Sequence, residues 1–281
     1  MSVSDSLYLN LGCGRRFHPG WVNIDLSSPA PEVVRHDLRQ GIPFPDQSCD
    51  AIYHSHLLEH IPQEEALAFL KECQRVLKSR GVLRVVVPDL ETVCRLYLEK
   101  LHGALAGDQM AAADCEWMRI ELLDQMARDS SGGRMGRELQ RTDLPNRVFV
   151  LQRIGGAGAG GCEPAPPAPR VLTAPPIPRS QRGLRVRLGH WLRRVSVRFA
   201  LNQAQRQALL IGSFRNSGEV HRWMYDRYSL ARLLEDAGFV SPQVRRADES
   251  MIPGWLTFHL DSDEVGKPIK PDSLFMEAVK P

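Results

Sequence analysis

The stretch Leu9-Asn10-Leu11-Gly12-Cys13-Gly14 governs the reading of this chain. A short buried strand, residues 7 to 12, runs into a Gly-x-Gly turn, where missing β-carbons let a ligand come close to the backbone. Outward from it, Trp21 to Leu26 reads as a second strand ending in an acid, Val33 to Arg35 as a third, and Ala51 to His54 as a fourth after a loop at Pro43, Pro45 and Asp46. Gln63 to Arg80 keeps helical apolar spacing, with Lys78 and Arg80 placed to suit the C-terminal dipole and Gly81 to cap. Val82 to Val87 then reads as an apolar strand stopped by Pro88. The alternation recurs at the end: helix Tyr228 to Ala237 closed by Gly238, a strand over Val240 to Arg245 and a last strand over Leu274 to Val279. Seven strands alternating with helices predict an α/β chain whose mostly parallel sheet is covered on both faces and ends in an antiparallel strand.

Consecutive parallel strands aim their carboxyl ends at one crevice, so the glycine turn, Asp25 and Asp37 are predicted to line it together. Asp25 can accept both hydroxyls of a ribose, and Asp37 an adenine amino group. Which nucleoside is decided by what is missing. A dinucleotide site needs a third small residue and a helix facing the pyrophosphate, yet Phe17 stands there and Asp25 follows Gly14 by only eleven residues. S-adenosylmethionine has no pyrophosphate to meet. With about six residues between Gly14 and Trp21, the first crossover helix is expected to be a single turn or absent.

Leu9 to Gly14, Gly20-Trp21-Val22-Asn23-Ile24-Asp25, Asp37-Leu38, Ser48 to Tyr53, His56-Leu57-Leu58-Glu59-His60 and Arg75-Val76-Leu77-Lys78-x-x-Gly81 together resemble class I S-adenosylmethionine-dependent methyltransferases of the type-11 group. Gly218 to Tyr228 and Lys270-Pro271-Asp272-Ser273-Leu274-Phe275-Met276-Glu277-Ala278 are similar to a branch of that group associated with surface-polysaccharide biosynthesis. The resemblance covers 7 to 91 and 217 to 281. It implies a Rossmann-like fold, S-adenosylmethionine as methyl donor, and O-methylation of a sugar or glycan intermediate. Carried over by position, it implies that Gly12, Cys13 and Gly14 meet the methionine part, Asp25 the ribose, Asp37 and Leu38 the adenine, and the backbone at Ser55 and His56 the sulfonium side. Asn10 replaces the usual acid of the first motif, which weakens a water-mediated contact to the cofactor's amino group.

On these readings the chain divides into a cofactor-binding half (1–90), an insertion or lid (91–216) and the C-terminal part of the methyltransferase domain (217–281). Within the insertion, 91 to 130 looks helical, 155 to 178 is half glycine or proline and is expected to be partly disordered, and 182 to 199 has the spacing of a basic amphipathic helix. The net charge of +3 conceals a segregation: ten arginines and no acid or lysine lie between Glu163 and Glu219, leaving −7 on the rest. Region 179–198 reads either as a solvated helix face whose Leu/Trp stripe covers the core or as a contact for a phosphate-bearing acceptor or an anionic membrane, while the absence of a recognition motif disfavours nucleic acid. The six cysteines, scattered without ligand spacing, read as small apolar residues rather than disulfides or zinc ligands. No apolar run reaches the roughly 20 residues of a bilayer span, and Met1 to Asp5 lacks a signal pattern, so a cytoplasmic, peripherally membrane-associated location is expected.

Methyl transfer from a sulfonium needs alignment and, for a hydroxyl acceptor, a base. His56 and His221 are the candidates, His60 reading as structural. His56 and His60 have the i, i+4 spacing of a metal pair, but the order is not His-Glu-x-x-His, so no metal is expected. A second class of function, a non-catalytic S-adenosylmethionine-binding protein that docks a glycan-assembly or membrane partner, would show no turnover.

Overall fold

A computed structural model describes residues 6–28, 30–155 and 201–281. β1 (Tyr8–Leu11), β2 (Val22–Asp25), β3 (Val33–Arg35), β4 (Cys49–Ser55) and β5 (Leu77–Pro88) run parallel. β6 (Val240–Arg245) and β5 both pair antiparallel with β7 (Ser273–Val279), in the sheet order β3-β2-β1-β4-β5-β7-β6. This is the expected Rossmann-like sheet with its antiparallel final strand. The helices are α1 (Gln63–Val76), α2 (Leu90–Leu105), α3 (Gln109–Ala127), α4 (Gly133–Leu139), α5 (Arg147–Ile154), α6 (Gln203–Arg215), α7 (Arg227–Asp236) and α8 (Trp255–Phe258). The expected mobile stretch at 155–178, beyond Gly155, and the basic amphipathic stretch at 182–199 lie outside the described residues.

Strand alternation sorts the core onto two faces. Leu9, Leu11, Ile52, Leu83 and Val85 pack with Phe69, Leu70 and Cys73 of α1 and Leu230 and Leu234 of α7. Cys49 and Cys73 are buried there, as their apolar reading requires. On the other face no helix joins β1 to β2, as expected; instead the excursion between β6 and β7 brings Ala247, Ile252, Trp255 and Leu260 against Trp21, Tyr53, Val86 and Phe275. Helices α2, α3 and α5 close a separate small core around Val93, Trp117, Met118 and Val150.

Two sequence expectations are corrected. The helix ends at Val76, not Arg80, because Leu77 pairs with Cys49 and residues 77–81 are already strand. Arg80 N donates to Lys280 O and Gly81 O accepts from Lys280 N, so β7's end supplies the partners that a further helical turn would forgo. Gly81 is therefore not a cap. A β-carbon there would lie 2.8 Å from Lys78 O and 2.9 Å from Leu77 Cδ2, which makes it a close-packing glycine within a bent strand. Nor is Val82 to Val87 uniformly apolar: Arg84 interrupts it and is fully buried, held by Asp261 at 2.7 Å and Glu277 at 2.8 Å.

His54, fully buried on β4, stacks edge-on to Phe69, and neither ring nitrogen has a hydrogen-bond partner among the described residues. Burial, partly opposed by Glu59, pushes its pKa down to about 4, so the folded chain keeps it neutral where the unfolded chain protonates it. This stability contribution is complete above the unfolded value of about 6.5 and is lost as pH falls through about 4. Urea unfolding at a series of pH values should show a shallower decline between pH 6.5 and 4 for His54→Leu than for the parent. Parallel curves would remove His54 as the source.

Candidate cofactor and acceptor site

The carboxyl edge of the sheet carries the site. Gly12 and Gly14 have φ of 63° and 56°, a region open to glycine at little cost. The two serve different needs. A β-carbon on Gly12 would strike Leu57 Cδ1 at 2.8 Å, whereas one on Gly14 would meet nothing within 4 Å, so the open side of the turn lies over Gly14. Gly12 N and Cys13 N both donate to Ile24 O, and Gly14 N donates to Asp25 Oδ2 at 2.9 Å, fastening the turn to the end of β2. Asp25 Oδ1 accepts from Ser27 N at 2.8 Å and Ser28 N at 3.0 Å. A carboxylate accepts at about four lone-pair positions, so three backbone bonds hold Asp25 in place and leave about one position, on Oδ2, for a ligand hydroxyl.

Asn10 is buried; its Nδ2 donates to Asn23 Oδ1 at 3.0 Å and Arg16 O at 3.1 Å, while its Oδ1 has no donor among the described residues. Burial, reinforced by Asp25, pushes the Cys13 thiol up to about 12, so it is not a nucleophile. Asp37 caps the 3-10 turn Leu38–Gln40 and is forked by Arg39, whose Nε and Nη2 lie at 2.9 and 2.8 Å. That hydrogen bond leads the causes that hold its carboxyl below the usual range. Leu38, half-buried, packs on the core beside it.

The candidate acceptor side begins where β4 ends. Ser55 is the last strand residue, and His56, at φ 53°, turns the chain while its N donates to Val86 O. Because β7 is antiparallel to β5, its first residue, Ser273, arrives at the same edge opposite Pro88. His56 Nε2 lies 2.9 Å from Ser273 Oγ and Nδ1 lies 3.1 Å from Glu59 Oε1. Burial alone would push the Glu59 carboxyl up, but the neighbouring His56, together with His60 and His221, outweighs it and holds the carboxyl down to about 2. His221 is also buried, and burial pushes its pKa down to about 3, so its ring is neutral at neutral pH. The two catalytic candidates thus reach the same edge, His56 half-buried and His221 enclosed.

Residues 10–85 match the family model described as a methyltransferase domain. Similar solved structures include S-adenosylmethionine-dependent methyltransferases from three organisms. That from Archaeoglobus fulgidus is 10% identical, with 98% of this chain and 86% of the other covered and a TM-score of 0.37. That from Mesorhizobium loti is 14% identical, covering 98% and 90% with a TM-score of 0.36, and that from Thermotoga maritima is 11% identical, covering 100% and 84% with a TM-score of 0.39. The search of curated proteins found no match. The matched domain, on the sheet described above, supports a methyltransferase that uses S-adenosylmethionine as its methyl donor.

Ser273, Glu59 and Lys270 are further candidate site residues that sequence reasoning quoted only inside motifs. Half-buried Lys270 has no hydrogen bond or ion pair among the described residues; burial lowers its pKa against the pull of Glu59, Asp272 and Asp261. Their convergence is set by the antiparallel return of β7, which no local spacing reports.

Proposed function

We propose that the chain transfers the methyl group to an oxygen of a sugar or glycan intermediate, with His56 accepting the hydroxyl proton. The observation that carries this reading is the His56 ring held between Glu59 and Ser273 at the carboxyl edge, beside the open glycine turn. The sulfonium is already an activated leaving group, so a positioned acceptor and a proton acceptor are what the protein must add. The sugar class rests on the resemblance of the two tail motifs. Helices α2 to α6 belong to an insertion that lids the acceptor side; its contacts with the tail, Gly132 N to Glu219 Oε1 at 2.8 Å and His221 N to Gln125 O at 3.0 Å, support that role. Ten arginines between Glu163 and Glu219 favour an acceptor that carries phosphate or sits at an anionic membrane. Incubation with labelled methyl donor and separate pools of nucleotide-linked sugars, lipid-linked sugars and polysaccharide fragments tests this. Oxygen-methylated sugar with stoichiometric S-adenosylhomocysteine is expected; turnover confined to non-sugar acceptors would sink the assignment.

The cofactor is proposed to lie against Asn10, Gly12, Cys13 and Gly14, with Asp25 at the ribose, Asp37 and Leu38 at the adenine, and the Ser55–His56 backbone at the sulfonium. Asp25→Ala should weaken S-adenosylhomocysteine binding by about 1.5–3 kcal/mol, the range for hydrogen bonds to a charged group. Because Asp25 also anchors Gly14, Asp25→Asn should recover only part of the loss. Calorimetry giving equal affinity for parent and Asp25→Ala would remove the ribose assignment.

A further inference from the structure

Sequence spacing considered His56 with His60 as a metal pair; the fold instead brings His60 to His221. Their ring centroids are 4.8 Å apart, the planes nearly perpendicular at 84°. One ligand atom from each of Glu59, His60 and His221 lies within 4.8 Å of the other two. Glu59 is fully buried, and neither carboxylate oxygen accepts a hydrogen bond from the described residues. Its one ion-pair contact among them is His56 Nδ1, which faces Oε1 and leaves Oε2 without any. A buried carboxylate so placed calls for a cation, and removing it from water without one costs several kcal/mol.

We propose that Glu59, His60 and His221 bind a divalent first-row transition ion, for which zinc is the best match to two imidazoles and a carboxylate. That donor set leaves a fourth position open. The frame is built by main-chain bonds. Glu59 O accepts from Arg222 N at 2.6 Å and Trp223 N at 3.2 Å, and His221 N donates to Gln125 O at 3.0 Å. His60 Nδ1 lies 3.3 Å from Val220 O, and an N–H donated there is the outer contact that ligand histidines commonly make, fixing the tautomer with Nε2 unprotonated. Donors on one tetrahedral ion with bonds of about 2.0–2.2 Å sit roughly 3.5 Å apart, so the three groups need to draw in by about an ångström. The ion would pin residues 220–223 to the turn after β4, next to His56.

The test uses the full chain, stripped with a chelator and titrated with Zn²⁺ by calorimetry and with Co²⁺ by visible absorption. One equivalent of bound ion is expected, with intense Co²⁺ bands of low coordination number and a Zn²⁺-dependent rise in Tm. Glu59→Gln and His221→Gln should each weaken binding roughly tenfold or more, while His36→Gln, outside the cluster, should not. Should either variant fail to fold, the parent decides: Zn²⁺ should protect the part-exposed His60 from diethylpyrocarbonate, read by mass spectrometry. No stoichiometric binding by the folded parent, binding unchanged in folded Glu59→Gln and His221→Gln, or no protection of His60 would overturn the site.

Discussion

Arg84→Ala is expected to lose about 3–5 kcal/mol of unfolding free energy, the cost of removing one partner from a buried ion network. Arg84 has no exposed surface; its Nε donates to Asp261 Oδ2 and its Nη1 to Glu277 Oε1, while backbone carbonyls of Glu249, Arg246 and Ala247 take its remaining donors. Trp255 lies under the guanidinium at 4.4 Å. Deleting the side chain leaves two buried carboxylates only partly served, Asp261 by Tyr53 Oη and Glu277 by Met251 N, Ser250 Oγ and Arg245 Nε at 3.6 Å. It also releases the 246–261 excursion, which covers the sheet face left bare by the missing crossover helix. Arg84→Lys should fall between, since an ammonium restores charge but not the fork. Urea denaturation followed by circular dichroism measures this; a loss under about 1 kcal/mol for Arg84→Ala would show that the network is not holding that face.

The second large effect is on turnover. His56→Asn should lower kcat by roughly 10²–10⁴, the span of general-base catalysis, with S-adenosylhomocysteine affinity unchanged because the backbone, not the ring, faces the cofactor in this proposal. Asparagine tolerates the positive φ of 53° here, so the fold should survive. His56→Gly is equally compatible with that conformation and opens a space for a free ring, so added imidazole should restore part of its activity. A merely structural His56 would not be rescued in this way. Turnover of His56→Asn within about twofold of the parent, with a hydroxyl acceptor, would assign the proton to solvent or another group.

The sequence by itself determined the sheet. The apolar runs at 7–12, 21–26 and 51–54 and the Gly12-Cys13-Gly14 turn report local dihedral and burial preferences, which survive folding because each strand's partners are chosen by the same pattern. The short link from Gly14 to Trp21 likewise announced the missing helix. Tertiary structure alone decided the rest. It ended α1 at Val76 by offering Leu77 and Arg80 better partners on β4 and β7, and it sank Arg84 among carboxylates 177 and 193 residues away. It joined His56 to Ser273 and His60 to His221, because an antiparallel return and a docked tail bring remote segments to one edge. Local spacing encodes which face a residue takes, since that depends on backbone period; which charge or ring it meets there depends on how distant elements close the core.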